Sequence, residues 1–292
     1  MILDEWKDYK RVFVTLATPG SFWLLVFFII PMAFLFVLSF SSKAVVDGET
    51  SSTVYDYLNT FANYTSAAGS DYLVLLWRAV WTSVVATFVC LVVAYPLAVA
   101  VCFAAPRWRP LLLLLLILPF WINLLIRTYA IYTIFRTTGV VNQAFGLVGL
   151  GPFEMMNNSG AVIMGLVYVY LPFMVLPLYS TIEKLDRSYL EASLDLGASQ
   201  ATTFWRITWP LTLPGVITGI ILVFIPCLGT FLISDRLGGP NDITIANTIE
   251  QQFLEANNWP FGSALSFILM YATFAALMIR AFVAKRSAGV DA

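Results

Sequence analysis

The chain contains no histidine among its 292 residues. That absence removes His-based catalytic triads, histidine proton relays and histidine-ligated metal sites. Charge is scarce too. Only 11 % of residues are Asp, Glu, Lys or Arg, where a soluble domain carries about 25 %, so the chain cannot cover a water-facing surface. The 16 basic residues against 17 acidic ones leave a net charge of −1, too balanced for a nucleic-acid binder. The three cysteines, Cys90, Cys102 and Cys227, stand singly inside apolar runs. Without CxxC spacing they read as small buried hydrophobes, neither a disulfide framework nor a metal site. No GxxxxGK(S/T) phosphate loop occurs, so the chain carries no ATPase motor of its own. With no histidine and no carboxylate inside an apolar run, the cluster that a membrane enzyme needs is missing. Neither a filter-like segment nor an inverted repeat speaks for a channel or a secondary transporter.

What is present is apolar: 60 % of residues are hydrophobic and the mean hydropathy is +0.83. A spanning helix needs about 20 largely apolar residues. Six stretches qualify, at about 20–40, 79–104, 110–135, 161–181, 214–234 and 261–284. The expectation is therefore an all-α polytopic membrane protein of six helices, one domain over 1–292. The first stretch is too long for a cleaved signal peptide and lacks a small-residue cleavage site. Pro31, Pro96, Pro119, Pro172, Pro177 and Pro226 punctuate the spans and read as kinks, because neighbours in a bundle can satisfy the freed backbone groups.

Eleven basic residues (among them Lys7, Arg107, Arg109, Lys184, Arg187, Arg206 and Lys285) fall in the tails and in the loops after spans two and four. At most five fall on the other face, which holds nine carboxylates, Asp47, Glu154, Asp235 and Asp242 among them. The positive-inside rule then puts both termini in the cytoplasm. The acidic face reads either as a cation attractor or as ordinary solvated loops. The sequons at Asn63 and Asn157 lie in the loops of that face and carry no further sign of glycosylation.

One loop, 183–213, differs from the others. Ser188 and Glu191 have capping-box spacing, which starts a helix. Leu190, Leu194 and Leu196 give it an apolar side. Gly197 stands where a left-handed turn would end it. Ser199 can cap a second helix, which Pro210 is expected to stop. On physical grounds alone this helix–turn–helix could be an amphipathic interfacial connector.

The order Glu191-Ala192-Ser193, then Gly197 and Pro214, resembles the EAA loop of type I ABC-importer permeases, with Ser193 replacing the second alanine. The stretches 118–130, 165–186, 232–240 and 257–266 are similar to the spermidine/putrescine branch, and the resemblance spans about 73–280. It implies a polyamine permease fold in the bacterial inner membrane whose loop couples to an ATPase through Glu191, Ala192, Gly197, Arg206 and Pro214. It also implies a second permease subunit, two cytoplasmic ATPase subunits that bind ATP and Mg, and a periplasmic solute-binding protein. No cofactor is expected in this chain. A permease for another small solute, or a secondary transporter, is the alternative.

Polar and aromatic residues near the spans are path candidates. Trp121, Asn123, Tyr168 and Tyr170 could line a route for cations through π-faces and polar groups, or serve as interfacial anchors and packing. Asp235 follows the apolar run of span five and could pair with an ammonium group, or with its neighbour Arg236. Arg127, about 25 Å along a continuous third span, is expected to snorkel to a membrane surface.

Overall fold

A computed structural model describes residues 10–46, 49–56 and 61–288. Lys7, Asp47 and the chain end at Ala292 lie outside the described residues. In order, the elements are as follows: α1 (Leu16–Ser39 as an apolar span, entered from Lys10), a two-stranded antiparallel hairpin of β1 (Ser42–Val46) and β2 (Glu49–Asp56), and α2 (Ala62–Ala67). Then come α3 (Ser70–Phe103), α4 (Arg109–Ile117), α5 (Leu124–Phe135), α6 (Val140–Gly146) and α7 (Ser159–Glu183). The last are α8 (Arg187–Asp195), α9 (Gln200–Gly229), α10 (Leu232–Leu237), α11 (Ile245–Leu254) and α12 (Trp259–Ala288). The hairpin is the one departure from the all-α expectation among the described residues.

Among the described residues four helices, α1, α3, α7 and α9, are long and apolar enough to cross a membrane, and a fifth span results if α4 and α5 are joined. The sixth expected stretch, 261–284, falls within α12, whose apolar part is Trp259–Ala275. At about 1.5 Å per residue the 34-residue α3 is about 50 Å long, well beyond a hydrocarbon core of about 30 Å.

Two expected spans are corrected. The stretch 110–135 is not one helix: its halves meet at 97°. Pro119 has no N–H to extend α4, which tightens into a 3₁₀ turn at Leu118–Trp121. Ile122 is then extended, and Asn123 starts α5 afresh by accepting the Leu125 N–H at 2.8 Å. The fifth span does not begin at Pro214, because Pro210 does not stop the preceding helix. A π-turn at Phe204–Thr208 precedes it, and the chain stays helical from Gln200 to Gly229. It then ends early at the extended Thr230, leaving 232–237 as the separate α10.

The chain divides into two compact units. In the first (Met1–Leu73 with Ile249–Ala292), α1 packs on α12 through the edge-to-face pair Phe36–Phe267 at 5.2 Å. Asn63 donates to the carbonyls of Ser39 at 3.0 Å and Ser41 at 2.6 Å, so the first sequon asparagine ties α2 to the end of α1.

In the second unit (Val74–Thr248), α7 and α9 form the main helix pair. A Cβ on Gly215 would come within 2.9 Å of the Pro177 carbonyl, and one on Gly219 within 2.6 Å of Met174 Sδ. Gly215 and Gly219 thus form the small-xxx-small contact that lets membrane helices approach closely. Met174, Val175, Leu178, Val216 and Val223 are buried around it, while large apolar side chains such as Phe88 and Ile126 stay exposed. That distribution suits a lipid exterior.

Candidate functional site

The loop after α7 forms a braced helix–turn–helix. Its first helix, α8, is capped two residues earlier than the Ser188–Glu191 spacing suggests: Asp186 accepts the Ser188 N–H at 2.9 Å. That backbone bond, together with the Ser188 side chain, holds the exposed Asp186 carboxyl below its ordinary pKa. At the other end Gly197 has φ +81°. Its N–H donates to Leu194 O at 2.9 Å and the Ala198 N–H to Ser193 O at 3.1 Å, a Schellman closure. Ser199 then caps α9 by accepting the Thr202 N–H at 3.2 Å.

Ser193, the departure from the motif, has a specific task. Its hydroxyl meets that of Thr203 at 2.9 Å, both residues buried, so α8 is pinned to α9 across the turn. Glu191, Ala192 and Arg206 are exposed, as is Pro214 further along α9. Leu196 is 89 % and Trp205 63 % exposed beside them. The loop therefore presents charge and apolar surface together, and Trp205 is a member that sequence spacing did not single out.

The loop is tied into the helices at both ends. At its start, Arg109 reaches Glu183 at 3.7 Å and donates to Ala104 O at 3.1 Å, while Tyr179 donates to Glu183 Oε1 at 2.7 Å. At its exit, Tyr95 of α3 meets Phe204 at 5.4 Å and Trp209 at 5.5 Å, and its hydroxyl is 2.9 Å from Thr212 Oγ1. Between these ties lies a cavity of about 570 Å³, lined by Val99, Phe103, Ile182, Leu190, Glu191 and Phe204 among others.

The path candidates do not form one cluster. Trp121 is 78 % exposed, Tyr168 is exposed, and Asn123 is occupied as the cap of α5. Tyr170 is buried, with its hydroxyl 2.7 Å from Thr230 Oγ1 at the break between α9 and α10. Asp235 lies on α10, half exposed, with Oδ2 3.1 Å from Arg236 Nε. The Arg236 guanidinium in turn sits 5.6 Å over the Tyr129 ring.

Arg127 does not snorkel. It is only 6 % exposed and lies 5.8 Å over the Phe120 ring. Helical rise measures depth only along an unbroken helix, and the 97° bend interrupts this one. Asn158, in the second sequon, caps α7 by accepting the Ala161 N–H at 2.9 Å.

Helices long and apolar enough to cross a membrane, joined to an internally braced helix–turn–helix, describe a polytopic membrane protein. The family model for "binding-protein-dependent transport system inner membrane component" matches residues 9–287, and the chain belongs to that family. It is an inner-membrane, multi-pass permease subunit of an ABC transporter. It is 42 % identical over 246 residues to the spermidine/putrescine transport system permease protein PotB of Haemophilus influenzae, covering 84 % of each chain. To the Escherichia coli K12 protein of that name it is 43 % identical over 249 residues, covering 85 % of this chain and 88 % of the other. A bacterial ABC transporter involved in import of the acidic polysaccharide alginate has a chain of the same fold, with a TM-score of 0.65 at 17 % identity over 97 % of this chain and 99 % of that one.

Proposed function

We propose that this permease subunit carries polyamines, spermidine or putrescine, into the cytoplasm, driven by separate ATPase subunits. The observation that carries the cargo is the 42–43 % identity, over most of both chains, to permeases named for spermidine/putrescine transport. The whole chain works as one permease domain of six spans with both termini in the cytoplasm, which follows from the basic asymmetry of the loops. A second, different permease subunit completes the pathway. Two ATPase subunits, binding ATP and Mg, dock from the cytoplasm, and a periplasmic solute-binding protein delivers the cargo.

In this reading α8 is the coupling helix, and Glu191, Ala192, Gly197, Arg206 and Pro214 belong to the docking and transmission element. The Ser193–Thr203 brace lets α8 move as a rigid piece with α9, and the Tyr95 aromatic contacts pass that motion to α3. Closure of the ATPase pair pushes the element and switches the pathway between its two openings. Asp235 offers a half-desolvated carboxylate to an ammonium group, where attraction exceeds that in bulk water. Trp121, Asn123, Tyr168 and Tyr170 are the further path residues proposed.

The deciding experiment reconstitutes the purified complex with its binding protein in proteoliposomes and measures ATPase stimulation by candidate solutes. Spermidine or putrescine should stimulate hydrolysis and accumulate inside. Stimulation by a sugar or an oxyanion, with none by either polyamine, would overturn the cargo while leaving the family membership standing.

A further inference from the structure

Asn247 stands in the first turn of α11, yet its side chain grips the start of α10. The residue is only 4 % exposed, and a buried amide is costly unless both its ends are bonded. Here both are. Oδ1 accepts the Thr244 N–H at 3.1 Å and lies 2.8 Å from the hydroxyls of Thr244 and Ser234. Nδ2 donates to the Phe231 carbonyl at 3.1 Å. A backbone N–H only donates and a carbonyl only accepts, so the amide has one workable orientation. Capping α11 needs no more than the reach back to the Thr244 N–H. The bonds to Ser234 and Phe231, 13 and 16 residues away in the chain, serve α10 instead.

Asp235 hangs from both of those points. Its backbone N–H donates to the same Phe231 carbonyl at 2.9 Å, and Ser234 is its neighbour. The far end of the six-residue α10 is held separately. There Leu237 O accepts the Asn157 N–H at 2.9 Å, and Ile233 and Leu237 are buried against Gly165 of α7. Tyr170 ties Thr230, just before α10, where helical bonding is broken. The first turn of α10 itself is left to Asn247. We propose that Asn247 is a positioning residue that holds this turn so that the Asp235 carboxylate keeps a fixed place and direction. The role rests on the reading of Asp235 as the contact for an ammonium group. A charge contact weakens with distance, and a partner that moves must first be ordered. A short helix after a chain break supplies neither condition without such a brace.

The test measures cargo-stimulated ATP hydrolysis and uptake of labelled spermidine by the reconstituted complex, with its binding protein in fixed excess. Asn247→Leu keeps the branching at Cγ and removes all four bonds. It should raise the half-stimulating spermidine concentration about tenfold, the size of one lost buried hydrogen bond, while the maximal rate per assembled complex stays near wild type. A merely structural role would lower the maximal rate or the yield of complex instead. Added to Asp235→Asn, the substitution should lower the residual uptake no further. Ser234→Ala leaves Asn247 bonded to Thr244 and Phe231, and it should shift the half-stimulating concentration by about threefold even if Asn247→Leu fails to assemble. An unchanged half-stimulating concentration in either assembled variant would overturn the proposal, as would a full additional loss on the Asp235→Asn background. Normal uptake by Asp235→Asn alone would defeat the cargo contact itself, and the positioning role with it.

Discussion

The hydroxyl of Ser193 on α8 lies 2.9 Å from that of Thr203 on α9, with both residues buried. The bond crosses the Gly197 turn and makes the two helices one mechanical piece. Removing one partner leaves the other hydroxyl buried without a bond, which costs about 1–3 kcal/mol, whereas removing both can be nearly neutral. Thr203→Val should therefore loosen α8 and raise its protease sensitivity. The double variant Ser193→Ala/Thr203→Val should recover most of that loss. A double-mutant cycle with additive effects would show that the bond carries no coupling between the helices.

Gly197 offers a cleaner backbone test. A Cβ there would meet nothing within 4 Å, so any penalty comes from φ +81° and not from a clash. A non-glycine residue in that region costs about 1–2 kcal/mol, and a β-branched one resists it most, whereas Asn enters it more readily. Gly197→Val should abolish uptake and weaken ATPase binding while the protein still reaches the membrane. Gly197→Asn should keep most of the uptake. Normal transport by Gly197→Val would sink the docking role of the loop.

The membrane character and the loop were legible for a simple reason: both are written in contiguous residues. Apolar runs of about 20 residues and the Glu191–Gly197 spacing need no tertiary context. The breaks were not legible in that way. In the sequence Pro119 looks the same as Pro96 and Pro177, which lie inside continuous helices. At Pro119 a capping Asn123 follows four residues on, and the chain bends there by 97°. That bend misplaced Arg127, since helical rise counts depth only along an unbroken helix. The Ser193–Thr203 bond joins positions ten residues apart on two helices, a pairing that no helical period displays.

Topology gives a direct check on orientation. In the proposed topology the basic asymmetry of the loops leaves both ends in the cytoplasm. A reporter that is active only in the cytoplasm should work when fused after Ala292, and a second one placed between Glu154 and Asn158 should stay silent. Activity at the loop site with silence at the C-terminus would invert the proposed orientation and remove the 183–213 loop from reach of any cytoplasmic ATPase.

Asp235 separates a cargo contact from a local ion pair. Its partner Arg236 lies 3.1 Å away and both side chains are about half exposed, and such an exposed pair is worth only about 0.2–1 kcal/mol. Losing the pair should therefore leave the fold intact. Asp235→Asn keeps the shape and removes the charge, and it is expected to assemble with normal basal ATPase activity while polyamine uptake collapses. Arg236→Met breaks the same pair but leaves the carboxylate, so it should retain uptake. If both variants lose uptake equally, the pair itself matters and the carboxylate does not contact the cargo. If Asp235→Asn transports at the normal rate, the cation must be recognised elsewhere along the path, and the π-faces of Trp121, Tyr168 and Tyr170 become the next positions to substitute.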